Sequence, residues 1–121
     1  MKKRKSWSKL SGKEARSRRG KGYRVEMDTV LWFLKQGIFA KRNPAMQQRE
    51  KTVYGDMRAC DIVASTCYGP IFVQAKYKEK YFTKAEEKGL EALAKRFNGE
   101  SMLTWRDNGI QFRMLYVRPR T

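Results

Sequence analysis

The stretch CDIVASTCYGPIFVQAK, residues 60–76, contains two short apolar runs that are joined by a Tyr-Gly-Pro turn. Short apolar runs bounded by Gly and Pro predict two adjacent strands. Polar residues interrupt them, because Asp61 begins the first strand, and Gln74 and Lys76 end the second. In a hairpin the start of one strand lies beside the end of the next, and residues two apart share a face. We therefore expect these three polar side chains to lie together.

Helix and strand patterns alternate along the rest of the chain. Residues 22–36 are predicted to form a helix that ends at Gly37, and Thr83 with Glu86 forms the capping box of a second helix. The Asp-Asn-Gly tripeptide at 107–109 predicts a hairpin. The expected order is α-β-β-β-α-β-β. The other predicted segments are a basic arm at 1–21, strands at about 38–42, 59–65 and 70–77, and a long polar connection at 43–58, with one domain spanning 22–121.

Apolar residues at helical spacing indicate which face of each predicted helix is buried. The stripes comprise Tyr23, Met27, Val30, Leu31 and Leu34 in the first helix, and Leu90, Leu93, Ala94 and Phe97 in the second. We expect both stripes to pack against the strands. At 100° per residue, Glu26 lies at the edge of the first stripe, neither clearly outside nor clearly inside it.

Basic residues dominate the composition, with 28 Lys and Arg against 12 Asp and Glu and a net charge of +16. The arm alone holds ten basic residues and one acid, so it contributes +9 and leaves +7 for the remainder. Such a charge favours a polyanionic partner, most often nucleic acid. No apolar run approaches the ~20 residues of a membrane-spanning helix, and no signal-peptide core follows the basic start. We therefore expect a cytoplasmic protein with no membrane partner.

The sequence contains no histidine, which narrows the chemistry that it can support. Histidine general bases and Ser-His or Cys-His nucleophiles are excluded. The two cysteines, Cys60 and Cys67, cannot complete a four-coordinate zinc site, and we expect both to be reduced and buried. Catalysis would have to use carboxylates, lysine, tyrosine or a metal ion held by oxygen ligands.

Glu26 would add a second carboxylate to Asp61, Gln74 and Lys76 if the first helix packs beside the strands. That set suits Mg²⁺, with Mn²⁺ as the alternative, because Mg²⁺ prefers oxygen ligands and commonly uses only one or two protein carboxylates. The metal would stabilise charge on a phosphodiester and acidify a bound water that Lys76 positions. A purely structural interpretation competes, in which Asp61 caps a turn and Glu26 pairs with Lys76. Spacing alone leaves both interpretations open.

Asp61 before an apolar strand, with Gln74-x-Lys76 at the end of the next, resembles the signature of the PD-(D/E)xK nucleases. The segments RGKGYRVEMDTVLWFLKQGIFAKR, CDIVAS, IFVQAKYK and LEALAKRFNGESMLTWRDNGIQF resemble, in this order, the archaeal-type Holliday-junction resolvases over about residues 19–116. The resemblance implies a restriction-endonuclease-like α/β core, in which helices flank a mixed central β-sheet. It also implies a homodimer that cleaves four-way DNA junctions with Mg²⁺.

Residue roles follow from the same resemblance. It implies metal binding by Glu26, Asp61 and Gln74, and catalysis by these three together with Lys76. Gln74 departs from the family pattern because an acid usually stands there, and Met27 stands where an arginine often follows the helical acid. The basic residues expected to contact DNA are Arg42, which matches a basic residue of the family's first strand, and Arg19, Lys21, Arg24, Arg49, Lys51, Arg58 and Lys78.

Two other functions remain open from the sequence. The first is a related metal-dependent DNase that acts on another DNA structure with the same site residues. The second is a catalytically silent nucleic-acid-binding protein, because Gln74 removes one negative charge from the predicted metal site.

Overall fold

A computed structural model describes residues 22–43 and 60–119 of the chain. Two helices and five strands alternate in the order α-β-β-β-α-β-β, as predicted. Among the described residues, no helix is both long and apolar enough to cross a membrane. The elements are α1 (22–35), β1 (Phe39–Arg42), β2 (Ile62–Thr66), β3 (Gly69–Ala75), a 3₁₀ turn (Glu79–Tyr81), α2 (Lys84–Arg96), β4 (Glu100–Arg106) and β5 (Ile110–Tyr116).

The five strands form one mixed sheet in the order β1-β2-β3-β4-β5. β1 pairs with β2, β2 with β3, and β4 with β5 in antiparallel fashion, whereas β3 and β4 are parallel. Parallel neighbours cannot be joined by a tight turn, and α2 supplies the crossover connection that they need. The carboxyl end of β3 and the amino end of α2 therefore come close in space.

The hairpin of β2 and β3 turns slightly earlier than predicted. Cys67 and Tyr68 form the turn, and Gly69 already pairs with Thr66. Gly69 has φ +118°, a conformation that only glycine adopts without strain. The Thr66 hydroxyl donates to Gly69 O at 2.8 Å and accepts from the Tyr68 N–H at 3.1 Å. Because Cys67 lies in this turn, it is exposed, so its predicted burial is wrong.

α1 ends as predicted, at Gly37. Gly37 has φ +79°, and its N–H donates to Leu34 O at 3.0 Å. The Ile38 N–H donates to Phe33 O, also at 3.0 Å. This pair of bonds is a Schellman motif, which satisfies the last carbonyls of the helix. It also turns the chain directly into β1.

The buried face of α1 differs from the predicted stripe. Only Val30 of that stripe is buried, and Met27 is half-buried. The face that packs on the sheet is formed by Val25, Thr29 and Phe33 at intervals of four residues. The residues predicted to be buried but found about half-exposed are Tyr23, Leu31 and Leu34.

A buried polar contact joins α1 to the sheet. Thr29 Oγ1 donates to Val25 O at 2.7 Å and lies 3.0 Å from Thr104 Oγ1 of β4. Both threonines are fully buried, so each hydroxyl needs such a partner. The contact holds α1 in one position along the sheet, and Glu26 precedes Thr29 on the same helix.

Each face of the sheet carries its own apolar core. The α1 side contains Val25, Val30, Phe33, Ala40, Ile62, Ala64, Val73, Ala75 and Met102. The α2 side contains Cys60, Phe72, Leu90, Leu93, Ala94 and Leu103. Alternate residues of β2, β3 and β4 supply the two cores, which is the period-two pattern of a sheet covered on both faces.

α2 begins with the predicted capping box and ends within one turn of its last buried residue. Leu90, Leu93 and Ala94 are buried as predicted, but Phe97 is 47% exposed, so its predicted burial is wrong. Asn98 takes the left-handed conformation at φ +54°. Gly99 follows it and lies so close to β3 that a Cβ atom there would be 2.5 Å from Pro70 O. This close approach starts β4 beside β3.

The last two strands form the predicted hairpin. Asn108 and Gly109 have φ values of +56° and +104°, as a tight connection between antiparallel strands requires. The Asp107 N–H donates to Gly109 O at 2.9 Å and closes the turn. β5 is the last strand in the order of the sheet and lies at its edge.

Candidate active site

Asp61 lies immediately before β2, at the edge of the sheet where β3 ends. Its N–H donates to Val73 O at 2.8 Å, and its Oδ2 accepts the Ala75 N–H at 3.0 Å. Asp61 therefore bonds the residues on both sides of Gln74. Only 9% of Asp61 is exposed, so a carboxyl group is held inside the protein at this edge.

Several charges act on this buried carboxyl group. Burial raises the pKa of Asp61 from 3.8 to about 6, and the bond from the Ala75 N–H opposes the rise. The carboxylates of Glu26 and Glu86 raise the pKa further, and the ammonium of Lys76 lowers it. A carboxyl group that is difficult to ionise unless a cation approaches is common at functional sites.

The side chain of Gln74 points to the same edge and is 8% exposed. Its Nε2 lies 3.5 Å from Glu86 Oε2, a long hydrogen bond. Its Oε1 is fully buried and has no hydrogen-bond partner among the described residues. Such an oxygen carries the full cost of its lost hydration, so it is expected to serve a ligand.

Lys76 follows β3 and pairs with a residue that the sequence interpretation did not place at the site. Lys76 Nζ lies 2.8 Å from Glu86 Oε2. Glu86 Oε1 accepts the N–H of Thr83 at 3.0 Å and its hydroxyl at 3.2 Å. The Glu86 N–H donates to Thr83 Oγ1 at 3.1 Å, which completes the capping box. Burial raises the pKa of Glu86, but the bonds from Lys76 and Thr83 outweigh it and the net pKa is lowered.

Glu86 was identifiable from the sequence only as a capping residue. A carboxylate has two oxygens, however, and a capping box uses one of them. Because α2 follows β3 closely, the side chain at its third helical position points back toward Lys76. The position of Glu86 in the first turn of the helix that follows β3 was therefore the sequence signal that could have placed it at the site.

Glu26 enters the site from α1, on the other side of the sheet. It is close enough to Asp61 to raise its pKa, but its own partner is Arg42, whose Nε lies 2.8 Å from Glu26 Oε1. The Arg42 guanidinium also lies 4.8 Å from the centre of the Tyr23 ring. The pairing of Glu26 with Lys76 that the structural interpretation expected is not found; Lys76 pairs with Glu86 and Glu26 pairs with Arg42.

The other basic residues expected to contact DNA are only partly covered by the structure. Arg24 on α1 and Lys78 after β3 are both exposed. The remaining ones lie outside the described residues; they are Arg19, Lys21, Arg49, Lys51 and Arg58.

Asn43 ties the end of β1 to the residues before β2. Its N–H donates to Asp61 O at 2.8 Å, and its side-chain amide donates to Cys60 O at 3.0 Å and Cys60 Sγ at 3.3 Å. Burial, then the charge of Asp61, raises the pKa of the Cys60 thiol to about 12, so the thiol is neutral. Asn43 is a structural support of the site that the sequence did not reveal.

Asp61 and Gln74 offer the donor set that a hard cation prefers. In residues 22–43 and 60–119, no three acidic or cysteine side chains are grouped closely enough to hold a metal ion by themselves. Mg²⁺ does not require such a group, since it commonly uses one or two carboxylates, waters and substrate phosphate. The buried oxygen of Gln74 and the buried carboxylate of Asp61 fit that mode of binding.

Comparison with known proteins identifies the fold. No protein-family model matches the chain, and no curated protein matches it. Among solved structures, it is similar to Hjc of Archaeoglobus fulgidus, a Holliday junction resolvase from an archaeal hyperthermophile. The TM-score is 0.62 and the identity 21%, over 78% of this chain and 77% of that chain. The chain therefore has the fold of this resolvase, a restriction-endonuclease-like mixed sheet flanked by helices, as its sequence predicted.

Proposed function

We propose that this protein is a metal-dependent endonuclease that resolves four-way DNA junctions by paired, symmetric nicks. The observation that carries the proposal is the edge where β2 begins and β3 ends. There the buried Asp61 bonds the residues on both sides of Gln74, the buried amide oxygen of Gln74 accepts no hydrogen bond from the described residues, and Lys76 follows β3. A small protein rarely places such groups at the end of its core without a ligand for them.

Asp61 and Gln74 would hold Mg²⁺ or Mn²⁺, and Glu26 would complete the set once released from Arg42. When bound, the metal would stabilise negative charge on the phosphate and acidify a water molecule. Lys76 would orient that water and stabilise the charge that develops on the phosphoryl oxygens. The water oxygen would form a new P–O bond while the P–O bond to the leaving strand end breaks; the water would lose a proton to solvent, and the leaving oxygen would take one from solvent.

Junction DNA explains the expected homodimer and the basic charge. A four-way junction has approximate two-fold symmetry, and a C₂ dimer would present two identical sites at a fixed separation. Arg24, Arg42 and Lys78 lie on the described part of the chain and would contact phosphates near the site, which positions the DNA without reading its sequence. Because the substrate is DNA, we expect the protein to act inside a cell.

The test is cleavage of a synthetic four-way junction with and without Mg²⁺ by the unmodified protein, Asp61→Asn and Asp28→Asn. Asparagine at 61 keeps an oxygen for the Ala75 N–H but loses the charge. Asp28 is a matched control, because it is a half-exposed acid on α1 that pairs with Arg106 at 3.3 Å. We expect a loss of about 10²-fold or more in cleavage rate for Asp61→Asn, with junction affinity retained, and little change for Asp28→Asn.

The same assay, run also with duplex and flap substrates and with Mn²⁺ in place of Mg²⁺, tests the other candidate functions. Equal cleavage of duplex, flap and junction at one ionic strength would show a DNase with a different substrate. Junction binding without cleavage in either metal would show a silent binding protein, which the uncharged Gln74 favours. Cleavage that survives Asp61→Asn would contradict the site assignment.

A further inference from the structure

Gln74 needs an orientation that a carboxylate at the same position would not need. The two oxygens of a carboxylate are equivalent, so either one can face a cation. An amide has one oxygen, which can ligate, and one NH₂ group, which repels a cation. A chain with glutamine at this position therefore requires a group that holds the nitrogen on the other side.

Glu86 is the group beside that nitrogen. Gln74 Nε2 lies 3.5 Å from Glu86 Oε2, whereas Gln74 Oε1 is buried and accepts no hydrogen bond from residues 22–43 or 60–119. An ionised carboxylate only accepts hydrogen bonds, so it attracts the amide nitrogen and repels the amide oxygen. The oxygen is thereby turned away from α2.

Glu86 is itself held in place by α2. Both Thr83 bonds end on Oε1, and Lys76 Nζ lies 2.8 Å from Oε2. One carboxylate consequently fixes both the amide of Gln74 and the ammonium of Lys76. As long as one oxygen of Glu86 stays bonded to Thr83, the other oxygen faces Gln74 Nε2 and Lys76 Nζ.

We propose that Glu86 is a positioning residue that makes Gln74 usable as a cation ligand by holding its amide nitrogen away from the cation. The inference rests on the metal-dependent function proposed above. It assigns to α2 a part in the site that the resemblance did not assign, and it explains how the chain accommodates glutamine in place of an acid.

Glu86→Gln tests the orientation without removing the helix cap, because glutamine also serves at the third position of a capping box. The oxygen of the introduced glutamine would face Thr83, so its NH₂ group would face Gln74 Nε2 and Lys76. The NH₂ group of the introduced glutamine, the NH₂ group of Gln74 and the ammonium of Lys76 would then face one another with no acceptor between them. Gln74 would relieve this by rotating its oxygen toward the introduced amide, which turns its own NH₂ group toward the cation.

The measurement is Mn²⁺ affinity by titration calorimetry, without DNA, for the unmodified protein, Glu86→Gln, Gln74→Glu and the double variant. We expect Glu86→Gln to weaken Mn²⁺ binding by about 10- to 100-fold when residue 74 is Gln. When residue 74 is Glu, the same change should have a clearly smaller effect, because a carboxylate needs no orientation. If Glu86 acted only through its negative charge, Glu86→Gln would weaken Mn²⁺ binding by the same factor whether residue 74 is Gln or Glu.

Ala92→Gly is the control for helix stability. Ala92 is an exposed residue of α2 that does not hold Glu86, so glycine there should lower the urea midpoint and leave Mn²⁺ affinity unchanged. The double variant also carries the glutamine at position 86, so its binding of Mn²⁺ shows that this substitution is compatible with the fold.

Equal effects of Glu86→Gln in both backgrounds, unchanged affinity in Glu86→Gln, or a double variant that does not bind Mn²⁺ would each overturn the inference. Failure of the proposed function looks different. In that case the unmodified protein neither binds Mn²⁺ nor cleaves the junction, and the inference falls with it.

Discussion

The carboxyl group of Asp61 opposes folding when it is ionised. Its folded pKa of about 6 lies above its ordinary value of 3.8, chiefly because the group is buried. The folded chain therefore holds the Asp61 proton more tightly than the unfolded chain does between these pH values. The contribution of Asp61 to stability therefore falls as the pH rises through this window. At 1.36 kcal/mol per pH unit, the loss is up to about 3 kcal/mol.

Asp61→Asn should remove this loss. We expect the variant in EDTA to unfold at a higher urea concentration than the unmodified protein at pH 7.5, and the difference to shrink as the pH falls to 4. The free energies of unfolding from urea titrations at the two pH values provide the check. Asparagine can still accept the Ala75 N–H, so the hydrogen bond at this position is kept.

A cation that binds beside Asp61 should reverse the pH effect. Adding Mg²⁺ in place of EDTA should stabilise the unmodified protein at pH 7.5 and leave Asp61→Asn nearly unchanged. If the difference in free energy of unfolding between Asp61→Asn and the unmodified protein in EDTA is the same at pH 4 and pH 7.5, the raised pKa of Asp61 is contradicted.

At single residues, the sequence predicted that Asp61, Gln74 and Lys76 lie at one edge of the sheet, but not which side chains they contact. The positions of Asp61, Gln74 and Lys76 followed from strand alternation, which depends only on local geometry. The contact between Lys76 and Glu86 depends on how α2 crosses from β3 to β4. That crossover is set by tertiary packing, including the close approach of Gly99 to Pro70, which no local pattern contains.

Among the elements, α1 shows where periodicity is insufficient. The helix is apolar around more than half of its circumference, from Trp32 through Phe33 to Leu34 and Leu31. Two different stripes therefore fit a 3.6-residue period, and the sequence cannot decide which one meets the sheet. In the structure, the face that meets the sheet contains Thr29, which contacts Thr104. A threonine counts as polar in an apolar pattern, so the pattern did not assign Thr29 to the buried face.

Alanine substitutions on α1 distinguish the two stripes. Phe33 is 2% exposed, so Phe33→Ala should lower the free energy of unfolding by about 3–5 kcal/mol. Leu31 is 48% exposed, and Leu31→Ala should cost less than about 1 kcal/mol. Urea titration of both variants checks this, and equal losses would mean that the outer stripe of α1 is also covered in solution.

Over the whole molecule, charge is distributed unevenly along the chain. The first 21 residues contribute +9 of the net +16, so more than half of the excess lies ahead of α1. Electrostatic attraction to DNA should therefore have two parts. The segment before α1 would add phosphate contacts that do not depend on junction shape, and the basic residues near the site would add contacts that do.

Glutamine at four arm positions should separate the two parts. With Lys2, Lys3, Arg4 and Lys5 replaced, the slope of log Kd against log salt concentration should decrease by up to about 0.9 for each phosphate that is no longer neutralised. Junction binding measured by fluorescence anisotropy at several salt concentrations provides the slope. The control replaces Lys95 and Arg96 with glutamine. These residues lie at the opposite end of α2 from Glu86, and we expect their replacement to leave the slope unchanged. An unchanged slope in the arm variant would mean that these residues do not touch DNA.

The two tasks of Glu86 have a consequence for how such sequences diverge. Because one side chain caps α2 and also lies against Gln74, positions 74 and 86 cannot drift independently in descendants of this chain. A homologue with an acid at 74 is free to carry any good capping residue at 86, whereas a homologue with glutamine at 74 should keep Glu86. In a family tree, the exchange of acid for amide at 74 should then follow the appearance of an acid at 86, and never precede it.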